Sequence, residues 1–342
     1  MTVLRPVVPP ASRSACSGNR CREEAFTSNR RLSLGVVLAI LAGRLVLSPP
    51  ASATRYSQWS ERVNLGDPVN SAWDDTAPAL SKDGLSLYFT SSRPCGEGDA
   101  TTDLNIWVAQ RAAADATWDE PECLEINREG YEDSAPAFSR DGHWMFFVSH
   151  RPGSLGTGPG FNGRDIWVSW RTHTQDDHAW EEPVNAGAVL NTAGADAGPT
   201  CFENEEYGYP QLFVTSNRFN NQFDIFVSDV LGPLAFGPPQ RVEELATPLV
   251  EARPSIRHDG LELFLIRGAT NAVMDIWATT RPDPSTPWSV PVNLGSPVNA
   301  PGNDQQPFIA SDRQMLFFGS NREPRLGGLD IWVSTRVKAE GR

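Results

Sequence analysis

Asp133-Ser134-Ala135-Pro136-Ala137-Phe138-Ser139-Arg140-Asp141-Gly142 leads into Trp144-Met145-Phe146-Phe147-Val148-Ser149-His150-Arg151, and after a glycine-rich stretch comes Asp165-Ile166-Trp167-Val168. Short apolar runs rich in aromatic and β-branched residues mark strands, and an Asp-Gly between two of them marks a hairpin. The same order recurs along the chain. Upstream, Asp75 leads to Pro78, Asp83-Gly84, Phe89, Ser91, Arg93 and Ile106-Trp107. Downstream come Asp196, Pro199, Phe213, Ser216, Arg218 and Asp224-Ile225-Phe226. A fourth copy runs from Glu251 through Pro254, Asp259-Gly260 and Phe264 to Asp275-Ile276-Trp277, and a fifth from Asp304 through Pro307, Ser320 and Arg322 to Asp330-Ile331-Trp332. The third copy lacks the Ser-x-Asp-Gly turn, and in the fourth Arg267 arrives about two residues early.

Each unit reads as four strands. Strand A ends at Ser-x-Asp-Gly, B ends at Ser-x-Arg, C begins at Asp-Ile-Trp, and D follows Trp-x-x-Pro, as in Trp180 to Pro183 and Trp288 to Pro291. Four antiparallel strands per repeat, with no helical period between them, make the blade of a β-propeller. The fifth unit runs out at Arg342 with no strand D of its own. Its counterpart stands at the other end of the chain: Val63-Asn64-Leu65-Gly66-Asp67-Pro68-Val69-Asn70 matches Val292-Asn293-Leu294-Gly295-Ser296-Pro297-Val298-Asn299 at every position but one. The expectation is one all-β domain over 54–342, a five-bladed ring in which residues 59–70 complete the last blade. Such closure pairs an edge that would otherwise invite aggregation.

The Pro-x-x-Ser-x-Asp-Gly-x-x-Leu-x-Phe-x-Ser-x-Arg string followed by Asp-Ile-Trp resembles the WD-like repeat of the periplasmic TolB family. That resemblance implies the propeller fold and, by analogy, a peptide-like partner in the cell envelope. TolB itself has six blades behind an α/β domain for which this sequence has no room; six blades is the alternative count.

Residues 1–53 read as an export signal. Arg30-Arg31 precede the apolar run Leu32 to Ala42, and Ala51-Ser52-Ala53 offers a small-x-small cleavage site. The run is too short for the ~20 residues of a membrane-spanning helix. A periplasmic or secreted location follows. Removing the segment takes the formal charge from −13 to −18, which argues against nucleic acid and anionic membranes as partners. Of the cysteines left, Cys95 and Cys123 are the nearest pair for a disulfide; three unpaired thiols are the other reading.

The D-to-A and B-to-C connections share one face of the ring. That face gathers Asp75, Asp133, Asp196, Glu251 and Asp304 with Arg93, Arg151, Arg218 and Arg322, and His150 falls there too. These residues form a candidate binding collar. The competing structural reading has each Ser-x-Arg bonding the Asp of Asp-Ile-Trp within its blade. Asymmetry comes from the long B-to-C loops Pro94 to Leu104 and Pro152 to Arg164, against Phe219 to Phe223 in the third unit. Phe161 at the second loop's tip is a candidate contact, and Glu97, Asp99 and Asp103 in the first are a weak candidate set for Ca²⁺. No Gly-x-Ser-x-Gly nucleophile occurs, and the five histidines are scattered. The function expected is a monomeric, non-enzymatic binding module for a protein, peptide or glycan, with no cofactor. Two alternatives stand beside it: a five-bladed glycoside hydrolase or lyase using inward carboxylates, and a structural module of an envelope assembly.

Overall fold

The computed structural model describes residues 56–96, 103–156, 163–203, 210–269 and 273–339. Residues 1–53, read from sequence as an export signal, and Glu97, Asp99 and Phe161 of the expected site lie outside them. Strand β1 (Val63–Asn64) pairs antiparallel with the last strand, β21 (Asp330–Thr335), with Val63 opposite Val333 and Asn64 opposite Trp332. The N-terminal segment thereby serves as strand D of the fifth blade, whose other strands are β19 (Asp304–Ile309) and β20 (Met315–Ser320).

The first blade is β2 (Asp75–Leu80), β3 (Ser86–Ser91), β4 (Asn105–Gln110) and β5 (Glu122–Cys123); the second is β6 (Asp133–Phe138), β7 (Trp144–Ser149), β8 (Asp165–Trp170) and β9 (Val184–Asn185). The third contains β10 (Asp196–Phe202), β11 (Gln211–Phe219) and β12 (Gln222–Gly232), with both β13 (Ala235–Phe236) and β14 (Gln240–Arg241) on β12. The fourth is β15 (Val250–Ile256), β16 (Glu262–Gly268), β17 (Asp275–Thr280) and β18 (Val292–Asn293). All pairings are antiparallel, as the repeat predicts. In the third blade the B-to-C connection is shorter than the sequence suggests. Phe219 and Gln222 pair, leaving a turn of Asn220 and Asn221, both at φ 53°, the left-handed geometry of a tight hairpin.

The A strands line the ring's axis and the D strands its rim. Every A strand carries a bulge at its centre, and the residue just before the repeat proline adopts positive φ: Ala77, Ala135, Gly198, Arg253 and Gln306. Bulges of this kind bend an innermost strand and re-aim one side chain. Seams between blades are sealed at the same point; the Ala135 N–H donates to Thr90 Oγ1 at 2.9 Å and the Arg253 N–H to Thr215 Oγ1 at 2.8 Å. Apolar B- and C-strand residues such as Phe89, Phe147, Phe264 and Phe318 are fully buried between blades.

Cys95 and Cys123 form a disulfide with 5.5 Å between their Cα atoms, while Cys201 is free. Among the described residues no helix is long and apolar enough to cross a membrane.

Candidate functional site

The repeat acids and arginines do meet, but they bond one another inside each blade. Arg93 Nη2 donates to Asp75 Oδ1 at 2.6 Å, Arg151 to Asp133 at 2.5 Å and Arg218 to Asp196 at 2.7 Å, and Arg322 likewise reaches Asp304. A second bond from each guanidinium runs to a D-to-A carbonyl: Val69, Ile126, Leu190 and Val298 respectively. Aromatic rings complete each enclosure; Arg151, for example, lies 5.2 Å from the Phe147 centroid and 5.3 Å from that of Trp167. The Trp of Asp-Ile-Trp is therefore a wall of the arginine's pocket. In the fourth blade Arg267 takes the cross-strand place that Ser occupies elsewhere and reaches Glu251 Oε1 at 2.9 Å. The longer Glu compensates for the earlier Arg.

All five acids are fully buried. Burial pushes the carboxyls of Asp75, Asp133 and Glu251 above their ordinary values, with their arginines opposing it. Such carboxylates present no surface to a ligand. Nor does the arginine bond the Asp of Asp-Ile-Trp, the alternative expected from sequence. Asp165 instead accepts from the Leu155 N–H at 2.6 Å and from Asn185 at 2.7 Å, and Asp330 accepts from the Leu326 N–H at 2.9 Å and from Asn64 at 2.8 Å. These acids tie the B-to-C loops to strand D.

What distinguishes the blades is the pair of residues before each buried acid. Trp73-Asp74 precedes Asp75 and Tyr131-Glu132 precedes Asp133, whereas Gly194-Ala195, Leu249-Val250 and Gly302-Asn303 stand in the other three blades. An aromatic followed by a carboxylate thus occurs in two neighbouring blades only. Both carboxylate residues are partly exposed, and Trp73 is 39% exposed. Glu132 is held in place: Oε2 accepts from Arg164 Nε at 2.8 Å and Nη2 at 2.6 Å, and Oε1 from Ser134 Oγ at 2.8 Å. His150, expected on this face, joins the group through Nδ1, which accepts from the Glu132 N–H at 3.3 Å, and its ring lies 5.6 Å from that of Tyr131. The Asp74 carboxylate makes no hydrogen bond with a described residue, and a side chain at Gly328 would overlap it.

The opposite face carries acids too, but they close hairpins. Asp83 Oδ1 accepts from Ser81 Oγ at 2.6 Å and Asp141 Oδ1 from Ser139 Oγ at 2.6 Å. Burial, with Glu203 alongside, pushes the Cys201 thiol well above its usual value, so it is no thiolate nucleophile at neutral pH. Asp103 leaves Oδ2 buried and unbonded among the described residues, and no group of three metal-ligating side chains occurs among them.

No known family model matches the sequence, and no characterised protein matches it by sequence. Solved structures do match by fold. An α-L-arabinofuranosidase from Podospora anserina, solved with cellotriose, superposes with a TM-score of 0.51 at 11% identity, covering 83% of this chain and 98% of that one. A thermostable family-43 glycoside hydrolase gives 0.53 at 13% identity over 80% and 93%. TolB from Acinetobacter baumannii gives 0.44 at 15% over 77% of this chain and 55% of that one, and nothing is argued from it. These likenesses correct the expectation of a non-enzymatic binding module. The ring this chain shares over nearly the whole of its neighbours is one that glycoside hydrolases use.

Proposed function

We propose that this chain is a glycoside hydrolase acting on the face of the D-to-A loops, with Asp74 and Glu132 as its two carboxylates. Glycoside hydrolysis needs one carboxyl to protonate the leaving oxygen and a second to attack the sugar or to activate water. The observation that carries this reading is the aromatic-carboxylate doublet at Trp73-Asp74 and Tyr131-Glu132, present in two adjacent blades and absent from the other three. Their rings suit the apolar face of a sugar, and the longest B-to-C loops belong to the same two blades. The shared fold with an arabinofuranosidase and a family-43 hydrolase supports the same chemistry and puts arabinofuranosyl glycans first among substrates. Export fits a polysaccharide substrate; its supports are the Arg30-Arg31 apolar segment with Ala51-Ser52-Ala53, and a Cys95 to Cys123 bridge that an oxidising compartment sustains.

The test is release of reducing sugar from a panel of arabinose-containing and other polysaccharides. Asp74→Asn and Glu132→Gln should each lower kcat by about 10²- to 10⁴-fold in a protein that remains folded at the assay temperature. Full activity in both variants, or a wild-type protein inert across the panel, would overturn the assignment.

A further inference from the structure

The opposite end of the axis holds a cavity of about 540 Å³, bounded by the A-to-B hairpins. Its wall includes the five repeat prolines with Phe138, Phe202 and Phe308, and polar groups near the hairpins, among them the cationic Lys82, Arg140 and Arg171. The bulge positions also line it. Three blades place nothing larger than a methyl group there, at Ala77, Ala135 and Gly198, but the fourth and fifth place Arg253 and Gln306. At the level of the bulges the lining is thus small and apolar on three blades and polar on two.

Arg253 is the unusual group. Its guanidinium forms no hydrogen bond or ion pair with a described residue, and Nη1 is buried. Burial, with Arg164's like charge, depresses its pKa to about 10 while Glu132 only partly opposes this, so the group is still cationic at neutral pH. A largely enclosed cation whose opposing carboxylate, Glu132, is itself bonded to Arg164 is costly, and proteins ordinarily pair such a group directly. Beside it, Gln306 Oε1 accepts from Thr76 Oγ1 at 3.1 Å, which turns the amide so that Nε2 is left to donate. The nearby His258 adds no charge at neutral pH, since burial and Arg140 hold its pKa below the usual imidazole value. The acids at the mouth, Asp83 and Asp141, are engaged in their own turns, and Glu203 accepts from the Arg140 N–H at 2.9 Å.

We propose that this cavity is a second binding site, taking an organic carboxylate with an apolar body: the carboxylate on Arg253 and Gln306, the body against the prolines and phenylalanines. The planar guanidinium suits a carboxylate geometrically. Its wall contains neither Asp74 nor Glu132, although Glu132 and Arg164 lie within electrostatic reach of Arg253, and carboxylate binding does not depend on hydrolysis.

Titration calorimetry with 3-phenylpropionate, against the neutral 3-phenylpropanamide, tests the proposal on the full chain. The carboxylate should bind at least tenfold more tightly. Arg253→Gln should abolish that preference, and so should Ala135→Asp, which supplies an internal counter-ion at a positive-φ position that Asp tolerates. Because Arg253→Gln also removes a charge that Glu132 only partly offsets, its thermal midpoint should not fall, and Ala135→Asp guards against a folding defect at position 253. Equal binding of acid and amide, or a preference that survives in either folded variant, would overturn the assignment. Binding is read directly, so a failure to find a glycan substrate leaves this result intact.

Discussion

Asn70 and Ile331, 261 residues apart, exchange two hydrogen bonds: the Ile331 N–H donates to Asn70 Oδ1 at 2.7 Å and Asn70 Nδ2 donates to the Ile331 carbonyl at 3.0 Å. The same bracket joins Asn191 to Ile166 and Asn299 to Ile276, but within one continuous stretch of chain. In the fifth blade it fastens the two ends of the protein together. Asn70→Ala should cost about 1–3 kcal/mol, because it leaves buried backbone groups at Ile331 unbonded. Deleting residues through Asn70 should do more, exposing β21 as an open edge. Urea unfolding of the first and size-exclusion chromatography of the second check this; a monomeric, fully stable truncation would contradict the closure.

Asp133 and Glu132 are neighbours with opposite expected behaviour. Asp133→Ala strands Arg151 in a pocket of rings and should cost about 3–5 kcal/mol of stability. Glu132→Gln can keep a hydrogen bond to Arg164 while losing the charge of a largely enclosed pair, and should cost about 1–2 kcal/mol, less than Asp133→Ala. Parallel unfolding and turnover measurements separate the two. A folded Asp133→Ala protein that has lost turnover would move the chemistry to the buried acids.

Asp177 clamps two blades, accepting from Tyr88 Oη at 2.6 Å, Gln110 at 2.8 Å and Arg171 at 2.8 Å. Burial works to raise its pKa, yet these bonds and one from Ser86 outweigh burial and hold the carboxyl below its ordinary value. A carboxyl depressed on folding stabilises the protein above the unfolded value, about 3.9, and the gain is lost as pH falls through the folded value. Wild type and Asp177→Asn should therefore differ most near pH 7 and converge below about pH 4. A gap in unfolding free energy that stays constant between pH 7 and pH 3 would contradict this.

Gly328 leaves room for the Asp74 carboxylate. Gly328→Ala should displace Asp74 and lower glycan turnover tenfold or more, since small misplacements of a reacting group are costly. Gly96, whose added Cβ meets nothing and whose φ is not positive, serves as the comparison for Gly→Ala as such. Equal turnover in the two variants would count against Asp74.

Cys95 and Cys123 close a loop spanning 28 residues. Replacing both by Ser should lower stability by about 2–4 kcal/mol. Reductant should lower the thermal midpoint of the wild type and leave the double variant unaffected; a wild-type midpoint indifferent to reductant would show the bridge contributes nothing.

The propeller is legible in the sequence because its information is periodic. Hairpin turns, strand alternation and five copies of one string agree locally, and the match between Val63 to Asn70 and Val292 to Asn299 marks the closing strand. The pairing of the repeat arginines is only half legible. Sequence brings Arg151 and Asp133 to one face, but an Arg placed near two acids, Asp133 and Asp165, does not say which it bonds; burial and reach decide for Asp133. The candidate carboxylates escape the sequence reading by one residue. Asp74 and Asp75, or Glu132 and Asp133, are equivalent as acids at a loop-to-strand junction.

Sequence by itself determined the ring, its five blades and the strand that closes it, since those follow from local patterns repeated along the chain. Only the tertiary structure decided which acid of each pair is enclosed and which is open, because successive side chains on extended backbone point in opposite directions. It alone also brings Arg253 and Gln306 to the wall of one cavity, at bulge positions where the other three blades place nothing larger than a methyl group. That asymmetry comes from different blades meeting on one axis, and no single repeat contains it.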